Sequence, residues 1–179
     1  MTDSRWSEGQ EVSLGQMLAA REMRVKRRQE ALDHYCQPTI TLSVVMPGAV
    51  KLSAMTRAIA AAANSAISLK LRDAGWDYRQ LWSAEEISGP EALYAVACPP
   101  DQLKRAMVEL EEGHKLGRLW DLDVHACDGK GISRKDLDLP PRSCLVCAEP
   151  AHACARSRTH QLAEILTVME DTVRSFRGG

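Results

Sequence analysis

Asp121 and Asp123 stand two residues apart in the stretch LGRLWDLDV, residues 116 to 124, just behind Arg118. Strand side chains alternate between faces, so as a strand this stretch sends Trp120, Leu122 and Val124 to one side and Leu119, Asp121 and Asp123 to the other. Carboxylates at i and i+2 have side-chain origins about 6.5–7 Å apart, close enough for both to reach one divalent cation or a pair. Hard oxygen ligands on an open face suit magnesium, which takes one or two protein carboxylates and completes its shell with water and substrate phosphates. Nucleotidyl and phosphoryl transfer use that arrangement. The plainer reading is a half-exposed strand whose polar side happens to hold two aspartates, although Asp is depleted in strands.

Cations crowd the sequence beside this pair. Arg118 precedes it, and Ser133, Arg134, Lys135, Arg142, Arg156 and Arg158 follow. Guanidinium forks match phosphate oxygens. The segment MPGAVKLS adds a Pro-Gly turn, Lys51 and a helix start, where free N–H groups and the helix dipole favour an anion. The GxxxxGK spacing is absent, so it is no P-loop, and Lys51 alone reads first as a surface residue.

CLVCAEPAHACARSRTH holds a C-x2-C pair, Cys144 and Cys147, then Cys154 and His160. This spacing permits a closed tetrahedral zinc site of Cys144, Cys147, Cys154 and His160, or with His152 instead, which would be structural rather than catalytic. Ordinary reduced thiols are the alternative. Cys36, Cys98 and Cys127 have no partner at metal spacing, and His34 and His114 read as structural or solvated.

The elements that must position these groups follow from periodicity. Ser13 with Gln16 makes a capping box opening a helix over about 13–35, with Leu14, Leu18, Val25 and Leu32 as its apolar stripe. Its other face, REMRVKRR, reads most simply as solvated charge, with a docking surface for an acidic partner as the alternative. TITLSVVM alternates as a half-buried strand with Thr39, Thr41 and Ser43 on its polar side. A second helix runs from Ser53 to about Arg72 on Met55, Ile59, Ala62, Ala66 and Leu69. WDYRQLWS and EALYAVA read as strands split by the SGP at 88–90. Asp101 begins a helix on Leu103, Met107 and Leu110 that ends at Gly113, and the aspartate segment follows as a fourth strand.

The order over 38–126 is β-α-β-β-α-β, so the fold class is α+β: a ferredoxin-like antiparallel sheet with both helices on one face. Trp120, Leu122 and Val124 would lie under the helices, and Asp121 and Asp123 on the uncovered face. An N-terminal helix (1–37), a Cys-rich loop (127–157) and a C-terminal helix (158–179) on Leu162, Ile165, Met169, Val173 and Phe176 complete a single domain over 1–179.

With 23 Lys+Arg against 24 Asp+Glu the net charge is -1, so no global field draws this chain to nucleic acid or an anionic membrane. The N-terminus has no signal-peptide layout, and no window reaches the roughly 20 apolar residues of a membrane helix, which together point to a cytoplasmic protein. A zinc-stabilised ferredoxin-like module binding nucleic acid on its open sheet is the competing class. Against it, Asp121 and Asp123 on that face would repel phosphate, and no basic-aromatic strand signature is present.

Taken together, PGAVK, GRLWDLDV, ISRKDLDLPPRSCLVC and CARSRTH resemble the apo-citrate lyase phosphoribosyl-dephospho-CoA transferase family, also called holo-citrate lyase synthase, over essentially the whole chain. The GR-x-x-D-x-D core is shared with the corresponding malonate decarboxylase enzyme. The resemblance implies a nucleotidyltransferase that moves the phosphoribosyl-dephospho-CoA group of triphosphoribosyl-dephospho-CoA onto a serine of the citrate lyase acyl carrier (gamma) subunit and releases diphosphate. With that reaction, the acidic pair reads as the Mg²⁺ site: Asp121, Asp123 and Arg118 are the expected catalytic residues, and Lys51, Arg134 and Ser133 the expected phosphate contacts, with Arg156 and Arg158 as outlying donors. The same reaction on the malonate decarboxylase carrier is the alternative within this chemistry.

Overall fold

The computed structural model describes residues 6–178, so the polar opening residues that bear on a signal peptide lie largely outside it. Helix α1 spans Leu14–Tyr35 and carries the expected capping box: Gln16 N–H donates to Ser13 Oγ at 3.2 Å and Ser13 N–H to Gln16 Oε1 at 2.9 Å. Then come β1 (Thr39–Val44), α2 (Ala54–Asp73), β2 (Tyr78–Glu86), β3 (Gly89–Val96), α3 (Pro100–Gly113) and β4 (Trp120–His125). The ferredoxin-like β-α-β-β-α-β order is therefore present. A short β5 (Gly131–Ile132) extends the sheet, giving the antiparallel order β2-β3-β1-β4-β5.

Helices α2 and α3 cover one face. Ile40, Leu42, Tyr94, Trp120, Leu122 and Val124 are buried beneath Met55, Ile59, Ile67, Leu103 and Met107. Two polar tips buried in this layer are satisfied, Trp120 Nε1–H by the Ile59 carbonyl and the Tyr94 hydroxyl by Asn64 Oδ1. Leu69, expected on the inner stripe of α2, is 56% exposed; Ala63, Ile67 and Leu71 line that side instead.

The opposite face is not open. Helix α1 lies across β1 and β3, so Thr39 and Thr41, expected in solvent, are buried. Its phase is also reversed. Leu14, Leu18 and Val25 are exposed, while Arg24 bonds Glu91 on β3 and Arg27 stacks on Trp82 of β2 at 3.8 Å and pairs with Glu86. The reason lies in the sheet: this face carries Glu91, Asp121 and Asp123, and the row of the helix that complements carboxylates is the basic one. Only near its end does α1 bury an apolar residue of the expected stripe, Leu32, together with Ala31.

The aspartate strand starts later than its alternation suggests. Gly117–Leu119 form a turn of 3-10 helix, and Leu119 is buried in the core instead of sharing a face with the aspartates. Gly117 is required there, since a Cβ would stand 2.3 Å from the Leu110 carbonyl oxygen. The Cys-rich loop is more ordered than its composition implies, with α4 at Ala151–Ser157. Arg158 takes a left-handed φ of 50° and closes α4, so the last helix, α5, begins at Leu162 and runs to Arg177. Its Met169 and Val173 join the core.

Candidate active site

Strand β4 holds the acidic pair by its neighbours. The backbone of Leu122, between the two aspartates, is clamped from α3: its N–H donates to Glu111 Oε1 at 3.0 Å and its carbonyl accepts from Lys104 Nζ at 2.9 Å. Glu111 and Lys104 are themselves buried. Asp121 is half-buried and Asp123 exposed, both on the face that α1 approaches. Burial, then the Asp123 charge, holds the Asp121 carboxyl above the usual carboxylate range, although Arg142, Lys104 and Arg24 act the other way. Two carboxylates two residues apart on one face of a strand are hard oxygen donors of the kind a divalent ion takes.

The predicted cations divide sharply. Arg118 donates to Ser143 through Nη1, at 3.0 Å, and through Nη2 to the Ser143 carbonyl, while its Nε is buried without a hydrogen-bond partner among the described residues. Burial, then the charges of Arg142 and Arg134, lowers its pKa. Arg134 is committed to Glu111 at 2.7 Å and to Glu112 at 2.5 Å, so it braces the clamp on β4. The Ser133 hydroxyl donates to Asp136 at 2.6 Å, closing a turn. Lys51 gives its ammonium to the Met46 carbonyl, and burial, then Arg21, lowers its pKa. Arg156 and Arg158 are exposed on α4 and its cap.

Arg142, by sequence only one of several nearby cations, comes within ion-pair reach of the pair: Nη1 is 3.6 Å from Asp121 Oδ1, and Nη2 bonds the Arg118 and Trp120 carbonyls. Arg24 is not legible from the sequence, because the leucines suggest the opposite helix phase.

The cysteine cluster assembles with the first-choice ligands. Sγ of Cys144, Cys147 and Cys154 and a ring nitrogen of His160 lie within 4.8 Å of one another, whereas His152 is exposed and outside the group. Cys147 Sγ is 3.5 Å from Cys154 Sγ and 3.3 Å from His160 Nε2. Tetrahedral zinc with thiolates at about 2.3 Å needs sulfurs about 3.8 Å apart, so the cage fits. Cys144 N–H bonds the Glu149 carbonyl to close a knuckle, and Val146 N–H donates to Cys144 Sγ at 3.4 Å. Burial raises the Cys144 thiol, but hydrogen bonds from the Val146 and Cys147 N–H groups and from the Cys154 and Cys147 thiols together bring it down to about 7. Burial, then the neighbouring sulfurs, pushes Cys154 to about 11. His160 turns Nδ1 toward Glu164 at 3.4 Å, leaving Nε2 for a metal, the outer-shell pattern of ligating histidines.

Comparison with known proteins fits these features. The family described as apo-citrate lyase phosphoribosyl-dephospho-CoA transferase matches residues 12–176. The chain belongs to that family. An apo-citrate lyase phosphoribosyl-dephospho-CoA transferase of Shigella flexneri serotype 5b (strain 8401) is 40% identical over 159 residues, covering 89% of this chain and 87% of its own. One from Escherichia coli O139:H28 (strain E24377A / ETEC) gives the same identity and coverage. The matched stretch of this transferase family contains the acidic pair, Arg142 and all four cage residues. Among the described residues no helix is long and apolar enough to cross a membrane.

Proposed function

We infer that this chain transfers the phosphoribosyl-dephospho-CoA group of triphosphoribosyl-dephospho-CoA to a serine of the citrate lyase acyl carrier subunit, acting as one transferase unit in the cytoplasm. The observation that carries the reading is the Asp121–Asp123 pair, with Arg142 at 3.6 Å from Asp121, in a chain of this family. In the reaction the serine oxygen forms a bond to the α-phosphorus, the bond from that phosphorus to the bridging oxygen of the β-phosphate breaks, and diphosphate leaves. The serine proton passes to solvent water as that bond forms, and diphosphate departs with the bridging oxygen.

Magnesium, when held by Asp121 and Asp123, supplies charge neutralisation at the donor's phosphates. The protein's own groups do the rest. Arg142 and Arg118 carry guanidinium groups fixed by backbone carbonyls and by Ser143, so they meet developing charge on the leaving group without having to reorganise. Lys51 binds a phosphate oxygen once it leaves the Met46 carbonyl, and Arg156 and Arg158 are outlying candidates for the donor's distal phosphates. Glu111, Lys104, Arg134 and the Ser133 turn keep the strand in place. Cys144, Cys147, Cys154 and His160 would hold a structural zinc, which would fix the loop bearing Arg142 and Ser143.

Helix α1 occupies the sheet face that a nucleic-acid-binding module of this type would use, which weighs against that class. The test is the intact mass of apo-carrier after incubation with the protein, donor and Mg²⁺. A mass gain by the citrate lyase carrier is expected. Modification of the malonate decarboxylase carrier alone would reassign the substrate, and modification of neither would sink the reading.

A further inference from the structure

Two thiols outside the cage lie against one another at one end of the sheet. Cys36 closes α1, and Cys127 follows the end of β4 by two residues. Strands β1 and β4 pair antiparallel with Thr39 opposite His125, so the chain entering β1 and the chain leaving β4 run side by side. There the Cys127 thiol donates to the Cys36 carbonyl at 3.2 Å, across 91 residues of sequence. The turn after Cys127 is seated on the last turns of α1, since a Cβ on Gly129 would stand 3.7 Å from the Gln29 side chain and 4.0 Å from that of Leu32.

Bond geometry limits how far apart the sulfurs are. A carbonyl oxygen lies about 2.4 Å from its own Cα, so Cys127 Sγ is within about 5.6 Å of Cys36 Cα. Cys36 Sγ now faces the Asp33 carbonyl at 3.9 Å; the side chain is exposed, and rotation about χ1 turns it toward Cys127. Disulfides join cysteines at this kind of separation. The other thiols are placed differently. Cys144, Cys147 and Cys154 face one another in the cage, and Cys98 is half-buried, with burial pushing its thiol to about 11. Exchange with a dissolved disulfide needs a thiol that reaches solvent, and outside the cage Cys36 and Cys127 are the exposed ones.

We propose that Cys36 and Cys127 form a reversible dithiol site that closes to an intramolecular disulfide by exchange with a low-molecular-weight disulfide such as oxidised glutathione. One protein thiol gives its proton to water and its sulfur attacks the glutathione disulfide. The S–S bond breaks, one glutathione thiolate leaves and takes up a proton, and a mixed disulfide remains. The second protein thiol attacks the protein sulfur of that mixed disulfide in the same way, forming the Cys36–Cys127 bond and releasing the second glutathione. Two protein thiols are thus oxidised and one glutathione disulfide is reduced to two thiols. In a reducing compartment the bond forms under oxidative load and is undone by the same exchange. Closed, it ties the end of α1 to the end of β4, and so pins the helix whose Arg24 and Arg28 feel the charge of Asp123. The site does not depend on the transfer reaction.

The test treats the full chain, purified without chelator, with excess oxidised glutathione, alkylates the remaining thiols and maps the peptides by mass spectrometry. A Cys36–Cys127 cross-linked peptide pair is expected, lighter by two hydrogens than its separate halves, free of glutathione and released by dithiothreitol. Cys36→Ser should abolish the cross-link and leave a glutathione adduct on Cys127, and Cys127→Ser should do the reverse; both positions are exposed, so both variants should fold. A bond across so long a loop constrains the unfolded chain, so oxidised wild type should melt higher than reduced wild type, while oxidant should not raise the melting temperature of Cys36→Ser. Separate glutathione adducts on Cys36 and Cys127 in wild type, unmodified thiols at both, or a disulfide confined to the cage cysteines overturns the site.

Discussion

Arg142, at the mouth of the cysteine knuckle, reaches back to Asp121 with its Nη1 3.6 Å from Oδ1. The other arm of the same guanidinium bonds the carbonyls of Arg118 and Trp120, the residues that lead into the acidic strand. Next in sequence, Ser143 accepts from Arg118, and Cys144 follows as a cage residue. The knuckle and the acidic strand are therefore mechanically one piece.

Arg142→Lys should reduce transfer by about tenfold to a hundredfold, because one ammonium cannot replace a fork that spans a carboxylate and two carbonyls. Loss of those bonds should also lower the melting temperature by about 2–4 °C for each kcal/mol removed. Steady-state kinetics and calorimetry on one preparation check both.

Protein purified without chelator should carry about one zinc per chain, and Cys144→Ser should lose it. Metal capture must strip protons from the thiols, including Cys154 at about 11, so apparent zinc affinity should rise with pH across the neutral range. Elemental analysis and competition with a chromophoric chelator at several pH values measure this.

Arg134→Ala should destabilise the chain by about 3–5 kcal/mol, since it leaves the buried Glu111 charge with the Leu122 N–H but no ion-pair partner. Arg156→Ala, at an exposed position, should stay within about 0.5 kcal/mol. Denaturant unfolding of the two variants separates the bracing arginine from the surface one. Equal losses would refute that division.

Much of this was legible in the sequence. Strand alternation places Trp120, Leu122 and Val124 in the core, and the C-x2-C pair with Cys154 narrows the cage to His160 or His152, because both signals are local; the fold selects His160. What failed was non-local. The phase of α1 follows from the carboxylates on the sheet it meets, which lie far along the chain, so its leucines gave the wrong inner face. The commitment of Arg134 to Glu111, and of Arg142 to Asp121, likewise depends on how α3 and the knuckle pack, and a count of nearby arginines does not rank them.

The Asp121 carboxyl, raised in the folded state above its unfolded value, binds its proton more tightly when folded. Its contribution to stability is therefore best at low pH and declines as pH rises through the unfolded and then the folded pKa. Asp121→Asn should remove that decline, melting no lower than wild type at neutral pH, which separates its effect on catalysis from any effect on folding.

The most direct test is single-turnover diphosphate release with donor, apo-carrier and Mg²⁺, comparing wild type with Asp121→Asn and Asp123→Asn. The account predicts magnesium-dependent release by wild type and a loss of at least about a hundredfold in each folded variant. Release near the wild-type rate by either variant would contradict it.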